Sequence, residues 1–467
     1  MFFVEFRINI ERKRQNRWFY VFLTTIDAAF LPISHLYIRN PKISEFMNSM
    51  IKLNSFLLML AVMFSGCDKS GDEIDSKDLP DPIKIELRST AEKELLKSDQ
   101  RFAFEFFANV FDEEANDEDK SFMVSPFSLS MALAMTWNGA AGETKTAMKE
   151  TLKWNNFDND DDVNGYYKNL KEALLKTDPS TKLSIANSIF TNKLVAIKPA
   201  FIKTNTDYYN ATVQAVDFTH PTTKDIINKW ASDNTNGLIK KVIEETKPDD
   251  LMYLLNAIYF KGIWTTKFEA KNTSKKAFMT QNGTKRTVDM MSQTAEFNYT
   301  EDETMQIVQL PYGNQAFSML VLLPKSGKKQ SDVVSALQNK DYWSNATSRL
   351  RNAEVELYLP KFKTEYSKKL NDVLKTMGME VAFDPYQANF SRISDFQAYI
   401  DFVKQDTYIS TDESGTEAAA VTTVGMVNTS MPVAPPKVVF NADRPFIYVI
   451  QENSTGAILF MGSVKDI

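Results

Sequence analysis

Two histidines and one cysteine limit the catalytic chemistry open to this 467-residue chain. His220 precedes Pro221 after the strand-like run TVQAVDF, where a turn histidine is expected rather than a general base. A serine–histidine–acid triad would have to use His220, and no G-x-S-x-G elbow accompanies it. Ser326 and Lys329 make an S-x-x-K match inside PKSGKKQ, a lysine-rich turn in which a short coincidence is the plainer reading. Asp249 and Asp250 read as carboxylates of a solvated loop. There is no H-E-x-x-H and no cysteine cluster, so neither a metal nor a cofactor is expected. The net charge of −6 comes without an arginine-rich arm or basic helix, which argues against nucleic acid as a partner. The chain reads as a protein that is not an enzyme.

The cysteine has a different chemistry in prospect. In MNSMIKLNSFLLMLAVMFSGCDKSGDE, Met47 or Met50 offers a start, Lys52 a charged flank, Phe56 to Phe64 an apolar run, and Ser65 and Gly66 the small residues before Cys67. This resembles a bacterial lipoprotein signal, in which the cysteine becomes an acylated N-terminus; Phe64 departs from the aliphatic residue usual three before it. The apolar run is too short to span a bilayer as a stable helix. On this reading residues 1–46, which include His35, lie upstream of the true start, and 47–66 are a signal peptide. Residues 67–97 are then an acidic, proline-containing tether, and a folded domain occupies 98–467. The segment RWFYVFLTTIDAAFLPIS, with Asp27 and Pro32, makes a poor membrane span.

A second chemistry-bearing stretch, ESGTEAAAVTTVGMVNTSMPVAPP, runs from Glu413 to Pro436. It could be a flexible linker.

Elements able to present such a stretch are abundant. With 43% hydrophobic residues, including 33 Phe, the chain is able to bury a large core. SDQRFAFEFFANVF carries Phe102, Phe106 and Val110 at helical spacing, and SPFSLSMALAMTWNGA opens with Ser125 before Pro126, a helix-start arrangement. KLSIANSIF, MYLLNAIYF, AFSMLVLLP, VELYLPKF and RPFIYVI are rich in branched and aromatic residues and read as strands. Helices and strands are interspersed without one-to-one alternation, which predicts an α+β domain with large, mainly antiparallel sheets.

Six motifs stand in one order: SPFSLSMALAMTWNGAAGET, INKWASDNTNGLIKKVI, NAIYFKGIW, LPKFKTEYSKKLNDVLKTMGM, DESGTEAAA and FNADRPFIYVI. In order and spacing they resemble the serpins, over about Ser98 to Ile467. The resemblance implies the serpin fold, with three β-sheets, eight or nine helices and an exposed reactive-centre loop. It also implies a suicide mechanism in which a protease cleaves the loop, forms an acyl-enzyme, and is carried off as the loop inserts into the central sheet.

Carried over residue by residue, Glu413, Gly415, Thr416, Glu417, Ala418, Ala419 and Ala420 match the hinge. If Glu417 faces solvent, Thr416, Ala418, Ala420, Thr422 and Val424 face inward. Counting from the hinge glutamate places the scissile bond at Thr429–Ser430, with Asn428 or Met426 as alternatives because the stretch to Phe440 is longer than in many relatives. Ser125, Ser128 and Asn256 match the polar cluster beneath the sheet, Gln405 stands where its usual histidine would be, and Trp264 matches the tryptophan where insertion begins. Glutamine donates and accepts hydrogen bonds but does not charge as pH falls. The bait residues offer no Arg or Lys to a trypsin-like pocket, so elastase-like, subtilisin-like or papain-like proteases are the expected partners. The expected protein is a monomeric inhibitor, anchored in the cell envelope by lipid on Cys67, at the outer membrane's periplasmic face or on the cell surface. The alternative is a non-inhibitory serpin acting as a surface binding or structural protein.

Overall fold

A computed structural model describes residues 1–8, 79–416 apart from 116, 118 and 158, and 438–467. The predicted strands form: β3 (Lys182–Asn192), β5 (Asp250–Ile263), β9 (Phe317–Pro324), β10 (Arg351–Pro360), β11 (Phe362–Lys369) and β15 (Phe446–Glu452). The first two predicted helices are α1 (Thr90–Glu113) and α2 (Pro126–Trp137). All twelve residues of α2 are buried, consistent with its small and apolar composition, and it packs against β5.

Among the described residues there are two hydrogen-bonded sheets, where the resemblance implies three. The seven-stranded one contains β11, β12 (Ala398–Asp412), β5, β3 and β4 (Thr212–Val216), with two further strands between β12 and β5. The other has nine strands. Its β7 (Lys285–Glu301) is 17 residues long and pairs with β6 (Ser274–Met279) and β10 along much of its length, then with β8 (Met305–Tyr312) at its end. Because one long strand serves both wings, what the resemblance divides into two sheets is one continuous ladder here. A count of strand segments does not reveal such sharing.

Two boundaries differ from the sequence reading. The first helix begins at Thr90, inside the segment assigned to the acidic tether. Ser89 accepts from the Glu92 amide at 3.1 Å, and the Glu92 carboxylate reaches back to the Arg88 amide. STAE is therefore a capping signature that the acidic composition concealed. Upstream of it the chain is already docked: the Ile85 amide donates to Ser454 Oγ at 2.9 Å, and Ile85 and Leu87 pack against the core.

The second difference concerns residues 1–46, set aside as upstream of the start. Phe2–Ile8 form strand β1, lying between β12 and β5 and antiparallel to both. Phe2, Phe3, Val4 and Phe6 are fully buried. Burying a Val or Phe side chain stabilises by roughly 1.5–3 kcal/mol, against about 1–2 kcal/mol for ordering each backbone residue, so the apolar side chains are what hold such a strand in place.

One half-buried acid on α1 sets a pH dependence. Tyr166 and Tyr167, from α4 (Asp160–Leu174), donate to the two Asp99 oxygens at 2.9 and 2.8 Å. Burial pushes the Asp99 carboxyl up to about 7 even though both hydroxyls favour its charged form. An acid whose folded value is raised is stabilised by the fold only while protonated. Stability is therefore expected to fall as pH rises from 3.8 through about 7, and Asp99→Asn to flatten that part of the profile in urea titrations run at several pH values.

Candidate functional site

The lane between β12 and β5 gathers the site residues singled out from sequence that lie among the described residues. At one end, β13 (Gly415–Thr416) pairs Thr416 with Thr411 and Gly262, and Gly415 with Asp412 and Ile263. Gly415 has φ +150, and a Cβ there would come within 2.1 Å of the Gly262 carbonyl oxygen, so the close approach of three strands requires glycine. Thr416 is 2% exposed, and its Oγ1 lies 2.7 Å from the Tyr312 hydroxyl. Tyr312 in turn stacks on Trp264, with ring centroids 4.5 Å apart. Trp264 Nε1 donates to the Asp412 carbonyl at 2.9 Å, and the Trp264 amide donates to Ser414 O at 2.9 Å.

Glu413 closes this end of the lane. It takes a hydrogen bond from Thr273 Oγ1 at 2.8 Å and pairs with Lys361 Nζ at 2.7 Å. Burial disfavours its charge, but these two partners outweigh burial and hold the carboxyl below its ordinary range.

Beneath the middle of the lane, the four polar residues form two linked pairs. Gln405 Oε1 accepts from the Ser125 amide at 3.1 Å while its Nε2 donates to Ser125 O at 3.1 Å. Ser125 Oγ donates to Leu459 O at 2.7 Å, and the Ser128 amide donates to Ser125 Oγ at 3.3 Å. The Ser128 hydroxyl donates to Asn256 Oδ1, and Asn256 Nδ2 donates to Asn187 Oδ1 at 2.7 Å. Gln405 and Asn256 face each other across Phe2, which is in register with both. Every donor and acceptor named here is buried, so each bond lost would leave an orphan in low dielectric.

Asn187 and Tyr312 belong to this machinery and were missed in the sequence. The signal for Asn187 is a lone amide on the face of β3 that also carries Ile185 and Ile189. Tyr312 gave no comparable signal, since an aromatic at a strand end is ordinary core. Glu417, Ala418, Ala419, Ala420, Met426, Asn428, Thr429, Ser430 and Cys67 lie outside the described residues. No group of three or more His, Cys, Asp or Glu among the described residues is arranged to hold a metal, and no described helix is long and apolar enough to cross a membrane.

In this arrangement two long strands flank a lane that β1 occupies, Gly415 and Thr416 pair with both strands at its top, and a polar cluster lies beneath its middle. Comparisons with known proteins agree with this geometry. The family model described as Serpin (serine protease inhibitor) matches residues 97–467. An uncharacterised serpin-like protein of Thermococcus kodakarensis is 34% identical over 81% of this chain and 87% of its own. A leukocyte elastase inhibitor of Xenopus laevis is 33% identical over 77% of this chain and 96% of its own. Among solved structures, the thermophilic serpin tengpin in its native state superposes with a TM-score of 0.73 at 30% identity, covering 84% of this chain and 99% of that one.

Proposed function

Because the chain belongs to the serpin family, we propose that it is a suicide inhibitor of serine endopeptidases that traps its target by loop cleavage and insertion between β12 and β5. Two of its relatives are named as leukocyte elastase inhibitors. The observation that carries the reading is the pairing of Gly415 and Thr416 with both flanking strands at the top of the lane, at the start of the small-residue stretch in the sequence. Cleavage between residues 426 and 431, with Thr429–Ser430 as the bait bond, would tie the protease to a loop able to continue as a strand. Elastase-like, subtilisin-like or papain-like enzymes suit a bait without Arg or Lys.

The test is to mix the protein with pancreatic elastase, subtilisin and papain and look for a complex that survives denaturing electrophoresis, followed by mass analysis of the released loop fragment. A stable complex and a cut within 426–431 are expected. Cleavage without complex would favour a non-inhibitory binding role, and a cut elsewhere would sink the bait assignment.

The same reading places Cys67 as a lipid anchor in the cell envelope, with translation starting at Met47 or Met50. Fatty-acid labelling that disappears in Cys67→Ala is the expected result. Recovery of residues from before Met47 in precursor whose signal peptidase is blocked would refute the start.

A further inference from the structure

We propose that Met1–Ile8 is an intramolecular occupant of the lane, competing with the reactive loop for one strand position. The docking stands on its own; its effect on inhibition rests on the function proposed above.

Polarity and register carry the proposal. Along β12 the partners descend from Asp412 and Thr411 opposite Gly415 and Thr416 to Gln405, Lys404, Val403 and Phe402 opposite Phe2 to Glu5. Along β5 they descend in the same sense, from Ile263 and Gly262 to Asn256 and Tyr253. Hinge and β1 therefore run the same way in the same lane. Between Thr416 and Met1 lie residues 407–410 of β12 and 258–261 of β5, as many positions as residues 417–420 supply. In sequence count Met1 thus holds the place of Val421, Phe2 that of Thr422 and Val4 that of Val424.

Face parity agrees. Phe2, Val4 and Phe6 enter the main core, the side toward which Thr416 turns and to which Thr422 and Val424 are assigned. Phe3 enters the second core on the opposite face, with ring centroids 5.0 Å from Tyr253 and 5.1 Å from Phe402.

The far end adds recognition that the loop does not match. Arg7 Nε lies 2.9 Å from Glu5 and 3.4 Å from Asp250, and another of its nitrogens 3.2 Å from Asp401, so it bridges acids of β5 and β12. The stretch VTTVGMVNTSM, from Val421 to Met431, has no cation to put there. The lane is thus fitted to an extended peptide with large apolar residues at alternate positions and an arginine near its end. This occupancy and the start at Met47 or Met50 exclude each other: a chain that starts there, or is cut before Cys67, lacks residues 1–8, so the docking belongs to the full chain and rests on the inhibitory reading alone, not on that start.

The experiment uses the full chain, wild type against Val4→Asp/Phe6→Asp, with Arg7→Glu as a milder second variant that sets a carboxylate against Asp250 and Asp401. In hydrogen exchange, amides of Phe3 to Arg7 in the wild type should be slowed at least about 100-fold relative to a free peptide, and the variants should lose most of that protection. Challenged with subtilisin, the double variant should yield at least about fivefold more denaturation-resistant complex than wild type. Free-peptide exchange at residues 3–7 of the wild type, or equal complex yields, would overturn the proposal. If neither form traps protease, the inhibitory reading fails alone, and competition is read from loop-cleaved wild type. There, loss of protection at residues 3–7 supports a shared lane, and full retention overturns it.

Discussion

Thr416→Arg is expected to convert the protein from inhibitor to substrate: the loop is still cut at close to the wild-type rate, but no denaturation-resistant complex forms. The reason is local. Thr416 is 2% exposed and meets the Tyr312 hydroxyl at 2.7 Å, between strands that approach closely at Gly262 and Thr411. A guanidinium there would be buried without a counter-ion at a cost of several kcal/mol, so the hinge would stay out of the lane or enter too slowly to outrun hydrolysis. Gel analysis with elastase or subtilisin reads both arms. A complex yield within about twofold of wild type would mean that capture does not require this residue to be buried.

The second large effect is on the floor of the lane. Asn256→Ala should destabilise by about 2–4 kcal/mol, because it strips the Ser128 hydroxyl of its acceptor and Asn187 Oδ1 of its donor and leaves a small cavity. Replacing both polar partners by apolar residues is a different case. Ser128→Ala with Asn256→Leu should recover part of the loss, since no orphaned hydroxyl remains on α2. Urea-unfolding midpoints of the two variants and wild type test this ordering. A single variant within about 0.5 kcal/mol of wild type would show that these bonds do not stabilise the closed floor.

Much of this machinery was legible because its residues lie in long, specific motifs. Ser125 and Ser128 open a helix of small apolar residues, Asn256 and Trp264 are the two ends of the motif NAIYFKGIW, and Gly415 and Thr416 follow a recognisable turn. Gln405 was found only by counting from the hinge, yet it bonds to Ser125 through both ends of its amide. What was not legible depends on tertiary partners. Asn187 and Tyr312 gain meaning from Asn256 and Thr416, which are far from them in sequence. Met1–Ile8 carries apolar residues at positions 2, 4 and 6, a fair strand pattern, but its context pointed to a spurious upstream segment. Nothing in a single chain announces that a lane between two distant strands will receive it. The capping pair Ser89 and Glu92 was visible in principle, and acidic composition outweighed it.

The stacking of Trp264 on Tyr312 has a practical consequence. The indole hydrogen-bonds the Asp412 carbonyl, and the phenol beneath it touches Thr416, so the aromatic pair sits against the segment that the proposed capture would move. Trp264 is one of six tryptophans, and Trp137 and Trp154 lie in contact with each other elsewhere in the core. The molecule therefore carries its own optical gauge: the emission lost in Trp264→Phe isolates this indole from the other five, and its change would report the moment the hinge shifts, without a label attached to the loop.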